Sequence, residues 1–247
     1  MIKFFRQIRF QLLKEEKNRR YVKYAIGEIF LVVIGILIAL QINNWNEKRK
    51  IDETENRYLQ ALKNEFSRNL DEIDRVIQVS SLCFQSVENL INMEDDLSGQ
   101  DFITNLRSSV QFPPQFINAP GILNDLVNAG YLSKLKNDSL RIKLDKWFVL
   151  LKEVNEEETE LWKHRTQIID YIQENISFRN LIIETGDADN FFNRIEKRDH
   201  QDRYSGMLSD RYFDNLNIFY GIVLRSLSDN YYRQLKENIL GILVELE

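Results

Sequence analysis

One cysteine, three prolines, nine glycines and two histidines are spread over 247 residues, and each scarcity removes a class of explanation. The lone Cys83 cannot form a disulfide within the chain, and there is no cysteine cluster to hold a metal. Its place near an apolar helical face reads as a buried structural thiol rather than a reactive one. His164 and His200 have no partner at metal-ligand spacing, such as the i, i+4 pair of H-E-x-x-H, and both read as surface histidines. No Gly-rich phosphate loop and no nucleophile elbow is present. Asp187-Ala188-Asp189-Asn190, after Gly186, lacks the following glycine and distal glutamate of an EF-hand, so it reads as a helix-capping turn. No catalytic residue, metal or cofactor is therefore expected.

Charge is distributed unevenly. Of 33 basic and 38 acidic residues, eight and three fall before position 44, which leaves 25 basic and 35 acidic residues after it. The region from 44 to 247 is thus ten charges negative. That balance argues against nucleic acid as a partner, because phosphate binding needs a basic patch to displace counterions.

What the sequence does have is one apolar run, Tyr24 to Ile42. At about 1.5 Å per residue it spans roughly 28 Å, close to the thickness of a bilayer's hydrocarbon core. A cleaved signal peptide has an apolar core of about 7–15 residues and small residues at its cleavage site. Here the core is longer, its end reads Ala39-Leu40-Gln41-Ile42-Asn43, and the basic region before it is long. A transmembrane anchor, retained as a signal-anchor, is the better reading. Eight basic residues precede Tyr24 (Lys3, Arg6, Arg9, Lys14, Lys17, Arg19, Arg20 and Lys23), whereas four (Lys48, Arg49, Lys50 and Arg57) stand between Asn43 and Leu62. That twofold bias favours an N-terminus in the cytoplasm.

The flanks fit this reading. Trp45, among Asn43, Asn44 and Asn46, is an interface anchor at headgroup depth, mirrored by Tyr21 and Tyr24 at the other end. Phe4, Phe5, Ile8 and Leu12 share a helical face opposite Lys3, Arg6 and Lys14, which suits a helix lying on the anionic inner leaflet. Two features interrupt the run. Glu28, a turn inside the cytoplasmic end, either snorkels or hydrogen-bonds a partner helix. Gly35 and Ala39 form a small-xxx-small pair that lets two helices approach closely.

The stretch Tyr24-Ala-Ile-Gly-Glu-Ile29, then Val32-Val-Ile-Gly-Ile-Leu-Ile-Ala-Leu-Gln-Ile-Asn-Asn-Trp-Asn-Glu47, resembles an uncharacterised bacterial family of small single-pass membrane proteins, catalogued as a domain of unknown function. A weaker similarity lies at Gly130-Tyr131-Leu132 and in the helix after it. The resemblance implies a bacterial membrane protein and carries no catalytic residues.

Beyond the anchor, apolar spacing predicts helices. Leu59, Leu62, Phe66, Leu70, Ile73, Ile77, Phe84 and Ile91 recur at threes, fours and sevens. No breaker separates them from the apolar run, so anchor and first bundle helix are expected to form one rod. All three prolines fall between Pro113 and Pro120, in a connection that follows Asp96, with a short helix near Phe102 to Leu106. A helix from about Pro120 to Ala129 stops at Gly130. Asn137 or Asp138 caps the next helix, striped by Leu140, Leu144, Trp147, Leu151, Val154, Trp162, Ile169 and Ile172. Residues Ser177 to Gly206 read as irregular. Ser209 or Asp210 begins the last helix, striped by Leu216, Tyr220, Val223, Leu227, Tyr231, Leu235 and Ile242. The expected fold is all-α: an N-terminal transmembrane helix continuing into an antiparallel helical bundle. The expected domains are a basic amphipathic cytoplasmic segment (1–23), the transmembrane helix (24–43) and an acidic helical-bundle domain (44–247).

One constellation stands out from the surface charge run Glu156-Glu157-Glu158 and Glu160. Glu158, Trp162 and Arg165, spaced by four and three, interrupt the apolar face of one helix. Buried charges cost desolvation unless paired. The structural reading is fraying of the bundle or an inter-helix salt bridge. The functional one is a ligand-binding pocket with Trp162 as a wall and Arg165 gripping an anion. The expected role is a non-enzymatic, membrane-anchored bundle for protein interaction or sensing, outside the cytoplasm at a bacterial inner membrane. Its partners would be the lipid bilayer and a protein or a second copy of the chain. The alternatives are an enzyme whose carboxylates do general acid–base work on a surface substrate and the same bundle facing the cytosol.

Overall fold

The computed structural model describes residues 16–92, 100–110, 113–119, 121–175 and 211–247, and among these every regular element is helical. The amphipathic stretch near the N-terminus, the Asp187–Asn190 turn, His200 and Ser209–Asp210 lie outside the described residues. Two compact units divide the chain, Met1–Arg57 and Tyr58–Glu247. Helix α1 (Glu16–Ile91) passes through the boundary without a break, as the lack of a breaker predicted.

In the first unit the apolar run is helical and uncovered. None of its most apolar eighteen-residue window is buried, and Leu31 is 70% exposed. This one helix is long and apolar enough to cross a membrane.

Among the described residues, the second unit makes four passes of a helical bundle. The chain goes out along α1 and returns through α2 (Gln100–Val110), a non-helical segment at 113–119 and α3 (Ile122–Asn128). The return is antiparallel to α1, with Asn89 bonded to Asn105, Ala119 to Asn69 and Ile122 to Glu65. After a 3-10 turn at Leu132–Lys134, α4 (Asp138–Asn175) runs out again beside α1. The last pass comes back as α5 (Arg211–Ser226), a π turn (Leu227–Tyr231) and α6 (Tyr232–Glu245). It closes on the start of α4, where Glu245 binds Asn137, Ser139 and Lys143.

The local stops follow their chemistry. Asn137 accepts a hydrogen bond from the Leu140 amide at 3.0 Å and so caps α4, as expected. Gly130 has φ +65°, the left-handed conformation that ends α3 without a Cβ clash.

The core differs from the expected stripes in register. The central seam of α1 is Leu62, Phe66, Asn69, Ile73, Val76, Ser80, Cys83, Val87 and Leu90, in alternating steps of four and three, with Glu55, Glu65 and Ser86 buried beside it. The expected Leu70, Ile77, Phe84 and Ile91 each stand one position after a seam residue. The first three are half-buried beside the core and Ile91 is exposed. Apolar identity misled here because Asn69 and Ser80 belong to the seam. Each is buried with its oxygen hydrogen-bonded to the backbone of another segment, Asn69 to Ala119 and Ser80 to Leu224.

On α4 the same slip removes Trp162 from the stripe. Leu161 is fully buried, while Trp162 is 37% exposed on the neighbouring face. On the last pass Leu224 rather than Val223 fills the core, and the expected Tyr231 is then displaced by the π turn. Its wider pitch makes the step from buried Leu227 to buried Tyr232 five residues, so Tyr232 rather than Tyr231 enters the core.

Candidate functional site

Pro113 and Pro114 remove two backbone donors and stop the return pass from being helical. The amides of 113–119, the first amides of α3 and the last carbonyls of α2 then need partners from elsewhere, because buried backbone groups are costly when unpaired. Four side chains meet the N–H groups. Glu158 Oε1 accepts from Phe116 N at 2.7 Å. Glu72 Oε1 accepts from Ile117 N at 3.4 Å, and Asn69 Oδ1 from Ala119 N at 2.7 Å. Glu65 Oε2 accepts from Ile122 N and Leu123 N at 2.8 and 3.3 Å.

Three more side chains meet the carbonyls at the end of α2. The Cys83 thiol donates to Ser108 O, the Tyr220 hydroxyl to Ser109 O and Arg165 Nε to Val110 O. They come from α1, α5 and α4 respectively. The charges match the local dipoles, with the Glu65 carboxylate at the N-terminus of α3 and the Arg165 guanidinium at the C-terminus of α2.

Glu158 is the most deeply committed of these groups. It is 4% exposed, and its second donor is the Tyr232 hydroxyl at 2.8 Å. Burial pushes its carboxyl above the usual range. The Phe116 and Tyr232 hydrogen bonds oppose that shift, and the nearby Glu72 charge adds to it. Glu65 is likewise raised by burial against the pull of its two amides. Glu72 moves the other way, held below the usual range by its hydrogen bond to Arg75. Arg75 in turn reaches Gln115 O at 3.3 Å. Burial alone pushes the Cys83 thiol up to about 11, so it is neutral and a donor.

The structure therefore keeps Arg165 beside Trp162 but turns Glu158 away from it, among the three residues that the sequence grouped as a ligand site. Glu158 and Arg165 do not pair with each other. Glu158 Oε1 and Arg165 Nε are both taken by the chain's own backbone, at Phe116 and Val110. Trp162 lies outside, with the Arg165 guanidinium 4.9 Å over its ring. Nor is Glu158 part of a solvated charge run; it is the buried member of it. His164 is half-buried rather than a surface residue, stacked on Phe219 with ring centroids 6.0 Å apart.

Sequence reasoning missed Glu65, Asn69, Glu72 and Tyr232. The first three are spaced by four and three, the spacing of the α1 seam, and that was the available signal. Tyr232 carried none, because the π turn that buries it leaves no mark on apolar spacing.

A cleft of about 410 Å³ opens beside the π turn, where Glu153, Glu156 and Glu157 face Ser226, Asn230 and Tyr231. The Glu157 carboxylate accepts the Tyr231 hydroxyl and raises its pKa. Among the described residues no group of three His, Cys, Asp or Glu is placed to hold a metal. On the apolar helix, Glu28, Gly35 and Ala39 are all exposed, and nothing lies within 4 Å of where a Gly35 Cβ would stand. The Arg49 guanidinium sits 5.6 Å over the exposed Trp45 ring.

No curated protein and no solved structure matches the chain. A family match begins at Glu28 in the apolar run and ends in α4 just before Glu158, so it contains Glu65, Asn69, Glu72 and the segment they hold. It spans residues 28–153, just over half of the 247, and the chain belongs to that family, described as Family of unknown function (DUF6090).

Proposed function

We propose that this is a single-pass protein of a bacterial inner membrane, with residues 1–23 in the cytoplasm and the helical bundle presented on the other side for protein interaction or sensing. The observation that carries the reading is the uncovered apolar helix: a window with no buried residue, which water would disfavour and a bilayer would not. The twofold excess of Lys and Arg before Tyr24 supports the direction. Glu28, Gly35 and Ala39, spaced by seven and four on one side of that helix, are the positions at which a second copy or a partner helix would pack.

The non-catalytic part of the proposal draws on the use of the bundle's polar groups. Glu65, Asn69, Glu72, Glu158 and Arg165 are engaged with backbone atoms of residues 110–123. Their evident role is to hold a proline-interrupted return pass in place. Sidedness is tested by fusing, after Glu247, an enzyme that is active only outside the cytoplasm. Activity is the expected result, and activity of a cytoplasm-only reporter at the same position would reverse the topology. Resistance of the full chain to alkaline extraction from membranes tests the anchor itself, and release into the soluble fraction would discard it.

A further inference from the structure

The non-helical segment 113–119 is held against the bundle by side chains rather than by a helical ladder, and three of the four side-chain acceptors on its amides and the first amides of α3 are carboxylates. Two of these, Glu158 and Glu65, are each 4% exposed. Their hydrogen-bond partners are a tyrosine hydroxyl and backbone amides, not a cation: Phe116 N and Tyr232 for Glu158, Ile122 N and Leu123 N for Glu65. We propose that this segment is a proton-linked latch, which closes more tightly on acidification and loosens as pH rises, with Glu158 and Glu65 as the groups that take up the protons.

The direction follows from burial. A closed latch keeps both carboxyls away from water, which disfavours their charged forms; an open latch returns them to it. The closed state therefore holds more protons than the open one over a window above the ordinary glutamate value of about 4.3. By linkage, the closing free energy is fully present below that value and is lost as pH rises through the closed-state pKa.

The surrounding charges pull both ways, and burial outweighs them at both groups. From α1, Glu72 faces Glu158 and raises it, while Arg75 neutralises Glu72 and acts on Tyr232 of α6. Around Glu65, Arg68 of α1 opposes the rise and Asp125 of α3 adds to it. Glu72 itself has the opposite linkage, but its window lies below the ordinary value, outside the range where the latch titrates. Hydrophobic anchoring completes the device. Phe116 is 4% exposed with its ring 6.0 Å from Trp147, so opening the latch also removes a core side chain. For a bundle that faces the medium, as proposed above, such a latch would report external pH, but the latch chemistry does not depend on sidedness.

The test is hydrogen exchange by mass spectrometry on the full chain in detergent micelles from pH 5 to 8. Exchange of a peptide covering 113–123 is divided by that of α6 in the same sample, which cancels the intrinsic pH dependence. The expected ratio rises with pH, with a limiting slope of about tenfold per pH unit for each proton released. Glu158→Gln keeps an acceptor oxygen but cannot titrate, and it should flatten the Phe116 part of the rise; Glu65→Gln should flatten the Ile122 part. A wild-type ratio that is constant or falls with pH overturns the proposal, and so does an unchanged slope in both variants. If neither variant folds, the wild-type series alone decides. Failure of the membrane reading would appear in the extraction experiment and leave this ratio unaffected.

Discussion

The two units of this chain invert each other's solvation. Up to Arg57, large apolar side chains such as Phe30, Leu31 and Ile42 face outward along α1 with nothing packed on them. From Tyr58 onward the same helix buries an alternating seam that includes Asn69 and Ser80, and α4 buries Glu158. One helix thus carries an apolar surface in one unit and polar core positions in the other. An apolar residue is informative where it is exposed, and a polar one where it is buried. The first observation marks a helix long and apolar enough to cross a membrane, and the second a backbone that needs partners.

Substitutions can break this comparison. The largest effect should come from Phe66→Ala, because Phe66 is fully buried edge-on to Trp147 at 5.1 Å. Urea unfolding should show a loss of about 3–5 kcal/mol. Phe30→Ala, of identical chemistry but 65% exposed, should leave the same unfolding curve unmoved. Equal effects would erase the distinction between the units.

Glu158→Ala should come next, at about 2 kcal/mol, since it strands the Phe116 amide and the Tyr232 hydroxyl. Relief of a desolvated carboxylate offsets part of that loss, so the destabilisation should be larger at pH 5 than at pH 8. The sign follows from the raised pKa: wild-type stability from this group is greatest in acid and declines as pH rises. A larger effect at pH 8 would contradict it.

Asn137→Ala should cost about 1 kcal/mol through loss of the α4 cap, read as a lowered thermal midpoint. The smallest effect concerns Glu245, held down to about 2, first by Lys143 and then by Ser139 and Asn137. A depressed carboxylate contributes stability above its ordinary pKa and loses it as pH falls towards 2. Lys143→Met should therefore flatten the acid limb of the stability profile between pH 4 and pH 2, and an unchanged limb would remove this pair from the account.

How much of this was legible depended on the range of the interaction concerned. The apolar run, the continuous helix, the Asn137 cap and the Gly130 stop are local signals, decided within a turn or two of the residues that carry them. The cluster of Pro113, Pro114 and Pro120 located the non-helical connection, although α2 extends to Gln100–Val110 around the shorter helix expected there. Reading the core by apolar identity placed the α1 and α4 stripes beside Asn69 and Glu158 rather than through them. Trp162 was included because it is large and apolar, yet its neighbour Leu161 fills the core.

The sequence by itself determined that the chain is helical, that one segment is long and apolar enough to span a bilayer, and where the helices are interrupted. These follow from backbone propensity and hydrophobic length, which need no knowledge of neighbours. Only the tertiary structure decided what Glu65, Asn69, Glu72, Glu158 and Arg165 do. Their partners are backbone atoms roughly 40 to 60 positions away in the chain, brought within hydrogen-bonding distance by the return pass. A π turn of five residues then decided which of two adjacent tyrosines reaches Glu158, a choice set by helix pitch rather than by composition.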